Sequence, residues 1–393
     1  MKLAEETQCT GCSACASICP KQCIHMEPDV EGFLRPVVEK DNCVNCGVCQ
    51  KVCPILSPLH PSSPDETSAY AAYNLDSDIR WQSTSGGVFT ALCTWILDRG
   101  GVVFGAVYNE DFTVRHCMID RETELWRLRG AKYAQSDLGE CFSQVKACLT
   151  HGQQVLFSGT PCQIAGLQKY LGKTWETLLL VDVVCHGVPS PAVWEHYIHY
   201  RSLQDADGAR PTAINLRSKE SGWPGYSVQY DYANCSRYFV KNFDDPYLRA
   251  FVGNLCLRLS CYNCQFKGIP RISDFTLADY WGIERQFPEL HDGKGTSLIM
   301  IRSIKAKRIW EELRPQFRYR EVDPESAIAE NPSAIKSSVL PKDREAFMSR
   351  FAHEDFTRLV DELIPPLPKP PSPTFLQRMI NKIKRKVHMK RGL

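Results

Sequence analysis

Two features of membrane and secreted proteins are missing from this sequence. No run of eighteen apolar residues occurs in the 393 residues, so we expect no membrane-spanning helix. The start, MKLAEETQCTGC, has no basic region followed by an apolar core, so no secretory signal is expected. Asp and Glu are also missing from residues 375–393, which carry seven Lys or Arg. Removing those seven charges from the net charge of +2 leaves −5, which argues against a nucleic-acid-binding surface.

Cysteine, by contrast, is abundant, with nineteen residues in the chain. Eight of them lie in two tight blocks with two-residue gaps, a spacing that suits a metal centre and not a set of disulfides. Thiolate clusters of this kind need reducing conditions. We therefore expect a cytoplasmic protein.

The two blocks form an internal duplication with a period of 34 residues. They read Cys9-x2-Cys12-x2-Cys15-x3-Cys19-Pro20 and Cys43-x2-Cys46-x2-Cys49-x3-Cys53-Pro54. Two-residue gaps let one short loop direct three sulfurs at a common centre. In two-cluster ferredoxins the fourth thiolate of each block serves the other cluster. We therefore assign the ligands of two 4Fe-4S clusters as Cys9, Cys12, Cys15 and Cys53 for one, and Cys43, Cys46, Cys49 and Cys19 for the other.

Zinc is the alternative metal for four thiolates, but zinc sites normally use two paired Cys-x2-Cys knuckles. A three-plus-one run that ends in Cys-Pro is typical of iron–sulfur modules. Cys23 lies outside the pattern and is expected to be a small buried residue.

The rest of the chain predicts a mixed α/β domain after a linker rich in Pro and Ser. Short apolar runs alternate with helical periodicity, which favours strands covered by helices. Strands are predicted within 100–109, 113–120, 153–160, 177–184, 212–241 and 297–303, with helices at 162–171, 191–201 and 306–314. We predict an α+β ferredoxin-like two-cluster module followed by a larger α/β domain, with segments 1–57 (module), 58–68 (linker), 69–345 (large domain), 346–374 (helical and Pro-rich linker) and 375–393 (basic amphipathic tail).

Two sets of residues in the large domain suggest chemistry. Ser85-Gly86-Gly87 precedes a helix-like run, so its backbone N–H groups suit a phosphate or a flavin edge; an ordinary helix N-cap is the alternative. Cys162 and Cys185 each follow a predicted strand, and Cys261-x2-Cys264 comes later. These four thiols would complete a metal site if they converge, whereas a lone Cys-x2-Cys is often zinc, redox or structural.

These motifs resemble the beta-subunit family of coenzyme F-420 hydrogenases and dehydrogenases, which includes plant hydroxymethyl-chlorophyll reductase. The resemblance runs from the cysteine blocks to about residue 340. It rests on Ser85-Gly86-Gly87-Val88-Phe89, Ala131-Lys132-Tyr133-Ala134-Gln135-Ser136, Gly159-Thr160-Pro161-Cys162-Gln163, Cys185-His186-Gly187, Cys261-x2-Cys264, Arg271-Ile272-Ser273-Asp274 and Ala278-Asp279-Tyr280-Trp281-Gly282. It is closest to bacterial members with a fused two-cluster ferredoxin, often linked to surface-polysaccharide biosynthesis.

The resemblance implies that the large domain binds FAD and a third 4Fe-4S cluster. Its implied ligands are Cys162, Cys185, Cys261 and Cys264, with Cys256 near enough to compete for a place. The implied flavin-binding residues are Ser85, Gly86, Gly87, Lys132, Tyr133, Gln135, Ser136 and Thr160. A lysine can neutralise the anionic reduced flavin, although Lys132 could equally be a solvated surface residue.

The resemblance and the chemistry together predict an oxidoreductase. Iron–sulfur clusters move single electrons, and a flavin couples them to two-electron chemistry. We expect electrons to pass between an external protein, deazaflavin or nicotinamide coenzyme, the clusters, FAD and an organic substrate. A non-catalytic electron conduit for a partner enzyme and an interaction protein with a structural module are the alternatives. No catalytic acid is assigned, because His186 could equally bond a sulfide or a backbone carbonyl.

The C-terminal segment 375–393 has apolar residues at helical spacing and most of its basic residues outside that arc. A basic amphipathic helix suits the anionic inner face of a membrane, so weak peripheral membrane contact is predicted. An acidic partner protein and a disordered solubilising tail are the alternatives.

Overall fold

The computed structural model describes residues 2–59, 61 and 67–366. Its strands are β1 (Ile24–Pro28), β2 (Leu34–Val38), β3 (Ser68–Asn74), β4 (Val102–Tyr108), β5 (Val114–Ile119), β6 (Val155–Gly159), β7 (Leu178–Val183), β8 (Pro211–Ser218), β9 (Ser227–Tyr232), β10 (Arg237–Lys241), β11 (Phe275–Asp279), β12 (Ser297–Ile301) and β13 (Phe317–Val322). Its α-helices are α1 (Ala14–Ile18), α2 (Val48–Lys51), α3 (Ser77–Gln82), α4 (Val88–Leu97), α5 (Cys141–Thr150), α6 (Pro161–Leu171), α7 (Pro191–Ala206), α8 (Pro246–Val252), α9 (Ile283–Gln286), α10 (Ile304–Leu313), α11 (Pro324–Ile328), α12 (Arg344–Arg350) and α13 (Phe356–Leu363).

The N-terminal module consists of the antiparallel hairpin β1–β2 and the two short helices α1 and α2. Residues with positive φ shape its cysteine loops: Gly11 and Ser13 in the first block, and Asn45 and Gly47 in the second. Glycine adopts this backbone conformation without strain. At Gly11 there is also no room for a side chain, because a Cβ atom would lie 2.5 Å from the Gln135 amide nitrogen.

The large domain is built on an eight-stranded sheet with the order β13-β3-β12-β11-β7-β6-β4-β5. Strands β11, β7, β6 and β4 are parallel neighbours, and β3 runs in the same direction because both β3 and β11 pair antiparallel with β12. The carboxyl ends of these five strands therefore meet at one edge, which is where open α/β sheets bind ligands. We call it the carboxyl edge.

Residue alternation explains why helices cover both faces of this sheet. Val103, Leu156 and Leu179 pack with α4 and α10 in one apolar cluster. Their neighbours Phe104, Phe157 and Leu180 pack with α5 and α6 in another. Successive strand residues point to opposite faces, so a strand that is apolar throughout is buried on both sides. All predicted strands and helices of this region are present, and their ends lie within a few residues of the predicted ones.

A second layer differs from the prediction. The antiparallel sheet β10-β9-β8 shares a mainly aromatic core with α7, α8, α12 and α13. Phe347, Phe356 and Val360 are fully buried in it. The helical part of the predicted linker 346–374 is therefore core, because an amphipathic helix of this length needs an apolar surface to be stable.

Other predicted segments fall partly or wholly outside the description. These are most of the linker 58–68 and all of the basic tail 375–393. In the part of the chain that is described, no helix has the length and apolarity to cross a membrane.

Candidate functional site

The module brings its cysteines together in two groups of four. Cys9, Cys12, Cys15 and Cys53 line one cavity, which we call the first quartet. Cys19, Cys43, Cys46 and Cys49 line another, the second quartet. The fourth cysteine of each block thus joins the loop of the other block. These are the two sets that the sequence predicts.

The shape of these cavities bears on the choice between zinc and a larger cluster. Tetrahedral zinc with bonds of about 2.3 Å needs sulfurs about 3.8 Å apart around a single point. Among the described residues, no group of three or more His, Cys, Asp or Glu is arranged to hold one metal ion. The eight cysteines form the walls of two cavities, and their three-plus-one spacing ending in Cys-Pro is typical of iron–sulfur modules.

A third quartet lies at the carboxyl edge of the large sheet. Cys162 is in the first turn of α6, directly after β6, and Cys185 follows β7. Both line one cavity with Cys261, which lies in a short 3₁₀ turn after α8, and with Cys264, which directly follows that turn. Pro161 and a capping interaction between the Thr160 N–H and the Gln163 side chain start α6 at this point. The four thiols that the resemblance implied do converge.

Cys256 does not belong to this cavity. Its side chain is fully buried in the aromatic core, and it is not among the residues that line the cavity. The expected competition between Cys256 and the four other cysteines is therefore not supported by the structure.

The third quartet lies in a buried and positively charged setting. Burial raises the pKa of Cys162, Cys185 and Cys261 to about 12. Such thiols stay protonated at neutral pH unless a metal ion displaces the proton. Three cations, Arg258, Lys267 and Arg271, line the same cavity. They would offset the negative charge that four thiolates and their sulfides bring, so the donor set and its surroundings both suit an iron–sulfur cluster.

Buried contacts hold two of these cations in place. The Arg271 guanidinium lies 3.4 Å from the Asp182 carboxylate and donates to the Val183 carbonyl oxygen at 3.1 Å. Lys267 donates to the Cys185 and Ser333 carbonyl oxygens. The motif Arg271-Ile272-Ser273-Asp274 therefore supports the strand that ends just before Cys185.

Arg258 connects the third quartet to the module. It is 1% exposed, and it donates to the Cys9 carbonyl at 2.7 Å, the Leu34 carbonyl at 3.0 Å and the Gln135 side-chain oxygen at 3.1 Å. Its guanidinium is also 3.8 Å from the Cys9 sulfur. Arg258 and Thr10 are both adjacent to the two quartets, since Thr10 lines both cavities.

Helix α6 is a second connection between the two quartets. It carries Cys162 at its start, and one turn later Gly166 faces the first quartet. A Cβ atom at Gly166 would lie 2.9 Å from the Cys12 sulfur, so only glycine allows this close approach. The module is therefore packed directly onto the large domain and is not an independently placed unit.

The Ser85-Gly86-Gly87 turn is packed tightly against the sheet. A Cβ at Gly86 would lie 2.4 Å from the Ala72 carbonyl oxygen, and the Gly86 N–H donates to the Ser297 hydroxyl at 2.9 Å. The N-cap of α4 is Gly87, with φ +89° and no capping side chain. The turn therefore does form the N-cap of α4, as the alternative interpretation expected, with Gly87 and not Ser85 as the capping residue. The turn lies at the carboxyl edge, because the Gly86 carbonyl accepts from the N–H of Asn74, the last residue of β3.

Two lysines lie at this edge, and only one of them was predicted. Lys132 is held by the Arg127 and Arg129 carbonyls at 2.9 and 2.7 Å, and burial lowers its pKa to about 7. It is therefore not a solvated surface lysine. Lys219 donates to the Arg80 and Ser85 carbonyls, both at 2.7 Å, and burial likewise lowers its pKa to about 7. Lys219 therefore holds the Ser-Gly-Gly turn through its hydrogen bond to the Ser85 carbonyl oxygen.

The remaining predicted flavin residues mostly make internal contacts. Gln135 bonds Arg258 and the Leu34 N–H, and Ser136 accepts from the Gln163 amide at 2.9 Å. The Thr160 hydroxyl is 3.1 Å from the Cys162 sulfur. These three residues thus lie beside the quartets, while Tyr133 packs on Phe251 and is 3.5 Å from Arg217. Three of the eight candidates therefore make their contacts beside the quartets, whereas Ser85, Gly86 and Gly87 lie at the turn before α4.

His186 has both ring nitrogens engaged by side chains. One nitrogen is 2.7 Å from the Asn254 amide oxygen, and the other is 3.3 Å from the Ser333 hydroxyl. Burial lowers its pKa. The sequence-based alternatives, a sulfide or a backbone carbonyl partner, did not include these two side-chain contacts.

Comparison with protein-family models gives three matches. Two models describe the beta subunit of coenzyme F420 hydrogenase/dehydrogenase: the model of its N-terminal part matches residues 69–142, and the model of its C-terminal part matches residues 152–326. A 4Fe-4S dicluster domain matches residues 8–55. This chain belongs to the coenzyme F420 hydrogenase/dehydrogenase beta-subunit family. It is an iron–sulfur electron-transfer protein of that family.

Two further comparisons add little to the beta-subunit assignment. A search of curated proteins found no match. Among solved structures, the chain is similar to a chain of the F420-reducing [NiFe] hydrogenase complex from Methanosarcina barkeri, studied by xenon derivatization. The identity is 15% and the TM-score 0.44, over 75% of this chain and 91% of the other.

Several residues that shape the site in this beta-subunit protein were missed from the sequence. Arg258 lies only three residues before Cys261, but its partners are more than a hundred residues away. Lys219 and Arg217 come from β8 and the turn after it, and no motif marks them. Each acts through long-range contacts, for which one sequence provides no signal.

Proposed function

We propose that this protein is an iron–sulfur flavoprotein oxidoreductase with three 4Fe-4S clusters and FAD. The first, second and third quartets would each hold one cluster, which supplies one-electron transfer, and the flavin would couple this to two-electron chemistry. The conclusion rests on one observation: Thr10 and Arg258 adjoin both the first and the third quartet. Electron transfer between two clusters requires that their cysteine cavities lie close together, and the packing of the module on the large domain would not by itself require it.

The polypeptide's part in this function is to fix the quartets relative to each other and to keep water out. The Arg258 bonds and the close contact of Gly166 with Cys12 hold the module against α6. A bidentate ion pair between Glu31 and Arg344 adds a third attachment, with Arg344 only 7% exposed. These three attachments fix the position of the module, and with it the first quartet, relative to the third quartet.

FAD is proposed to bind at the carboxyl edge near Tyr133. Two buried polar atoms there have no hydrogen-bond partner among the described residues: the Arg217 Nε and the Tyr108 hydroxyl. Buried polar groups normally find partners, so unpaired ones suggest a missing ligand. Arg217 is paired with Asp279 at 2.6 Å and lies over the Tyr226 ring at 4.5 Å. An aromatic surface with a fixed cation and unpaired donors fits an isoalloxazine ring.

Ser85, Gly86 and Gly87 remain proposed contacts of the flavin. Lys219 holds this turn in place through its hydrogen bond to the Ser85 carbonyl. Lys132 remains a candidate through its place over the Tyr108 ring, at 5.7 Å. Gln135, Ser136 and Thr160 are better understood as residues that hold Arg258, Gln163 and Cys162.

The reaction proposed is electron transfer between a carrier and an organic substrate, with a protein, a deazaflavin or a nicotinamide coenzyme as the carrier. The alternative is a non-catalytic protein that docks onto a partner oxidoreductase. A reductive titration of the anaerobically purified protein tests the first point. It should take up one electron for each of three clusters and two for FAD. Uptake of only two electrons would contradict the proposal.

Reoxidation then separates the two functions. The reduced protein is mixed with deazaflavin, nicotinamide and quinone acceptors, without any partner protein, and the visible absorbance is followed. An autonomous enzyme recovers its oxidised spectrum with at least one acceptor in a saturable reaction. Reoxidation only after a partner oxidoreductase is added would favour the electron conduit.

A further inference from the structure

A fifth cysteine lies against the second quartet. The Cys23 sulfur is 3.5 Å from the Cys19 sulfur, and Cys23 lines the same cavity as Cys19, Cys43 and Cys49. Its side chain is 2% exposed and belongs to the same buried cluster. The sequence pattern predicted Cys23 only as a small buried residue, but its sulfur lies beside a sulfur of the second quartet.

The backbone fixes Cys23 in this position. Gln22 has φ +50°, and its N–H donates to the Cys19 carbonyl at 3.0 Å, so the chain turns back immediately after Cys19. Strand β1 then begins, and the Cys23 carbonyl accepts from the Glu39 N–H at 2.9 Å. Two ordered elements therefore hold the thiol at the cavity.

The internal duplication provides a natural comparison. The position 34 residues after Cys23 is Ser57, four residues after Cys53 as Cys23 is four residues after Cys19. The Ser57 hydroxyl accepts from the Lys169 ammonium at 2.8 Å. Cys9, Cys12, Cys15 and Cys53 are the cysteines that line the cavity of the first quartet. The two halves of the module thus differ by one thiol.

We propose that Cys23 is a reserve ligand that replaces Cys19 at the second quartet. This rests on the proposed function, since it takes Cys19 as a ligand of a 4Fe-4S cluster. In the exchange the iron–sulfur bond to Cys19 breaks and one to Cys23 forms. The Cys23 thiol proton moves to the departing Cys19 thiolate across the 3.5 Å gap, so no net charge or electron is transferred. The second quartet therefore tolerates the loss of Cys19, while the first does not tolerate the loss of Cys53.

Iron content and low-temperature EPR of anaerobically purified, full-length variants test this. Alanine replaces each cysteine, because a serine oxygen can itself bind iron. Cys19→Ala is expected to keep the parent's iron, whereas the Cys19→Ala/Cys23→Ala double variant loses about four irons per chain. Cys53→Ala is the matched single variant and should also lose about four. Cys23→Ala alone should keep the full content with a changed EPR signal.

Equal iron in the Cys19→Ala single and the double variant overturns the reserve-ligand proposal while leaving the proposed function intact. Failure of Cys19→Ala to fold under conditions in which Cys53→Ala folds, as judged by far-UV circular dichroism, counts against it in the same way. A parent protein without the second cluster, seen as no iron loss on Cys46→Ala, would instead refute the proposed function itself.

Discussion

Replacing Arg258 tests whether the first and third quartets are coupled through this side chain. Arg258→Met keeps the length of the stem and removes the charge and three hydrogen bonds, to Cys9, Leu34 and Gln135. The Arg258 guanidinium is 3.8 Å from the Cys9 sulfur, so it lies about 8 Å from the centre of a cluster at the first quartet. At an effective dielectric constant of about 20, one charge at about 8 Å contributes about 2 kcal/mol.

That energy corresponds to about 90 mV for a one-electron couple. Because a positive charge favours the reduced cluster, Arg258→Met should lower the reduction potential at the first quartet by about 50–100 mV. The second quartet, which does not contact Arg258, should keep its potential. Arg258→Lys retains the charge and should shift the potential much less. A redox titration followed by EPR measures the potentials of the clusters at the first and second quartets.

The free energy of unfolding is a second measure of the effect of Arg258→Met. Hydrogen bonds to a charged group contribute about 1.5–3 kcal/mol each, and unpaired buried acceptors cost more than exposed ones. We expect Arg258→Met to lower the free energy of unfolding by about 3–5 kcal/mol. Arg237→Met, which removes an exposed arginine paired with Glu220, should cost much less than Arg258→Met, because solvent screens exposed ion pairs. Unchanged potentials in a fully iron-loaded Arg258→Met protein would refute the coupling.

Two further predictions concern the large domain. Arg217→Lys keeps a cation beside Asp279 but loses the unpaired Nε donor, so FAD should bind at least about tenfold more weakly, with Arg237→Lys as the control. Retention of FAD through dialysis measures this, and unchanged retention would place the flavin elsewhere. Burial lowers the pKa of His116 to about 4, so only the unfolded chain takes up a proton as the pH falls below about 6.5. Stability should drop by about 2 kcal/mol between pH 7 and 5, and His116→Gln should abolish that part of the urea-midpoint shift; an equal shift in both proteins would contradict it.

The sequence predicted the cysteine groups because their spacing is short and repeated. Cys9 to Cys19 and Cys43 to Cys53 are local patterns, and the duplication made the exchange of fourth ligands a consequence of a known geometry. Convergence of Cys162 and Cys185 needed β6 and β7 to be parallel neighbours, and the approach of Cys261 and Cys264 needed long-range contacts, neither of which periodicity alone gives. Only the resemblance to the beta-subunit family implied that these four cysteines form one ligand set.

The contacts made by isolated side chains could not be predicted. Arg258 is an arginine in an unremarkable segment, and its role depends on partners at Cys9, Leu34 and Gln135 that the fold brings to it. Residues 346–363 belong to the segment predicted as a helical and Pro-rich linker, and their packing in the aromatic core of the second layer likewise depends on long-range contacts.

The central claim is that this chain holds three clusters, and iron content tests it most directly. The anaerobically purified protein should contain about twelve irons per chain, four for each quartet. Cys261→Ala should contain about eight and keep the EPR signals of the module, while Cys235→Ala, an exposed cysteine outside every quartet, should keep all twelve. A parent protein with eight irons, unchanged by Cys261→Ala, would contradict the third cluster and the electron path built on it.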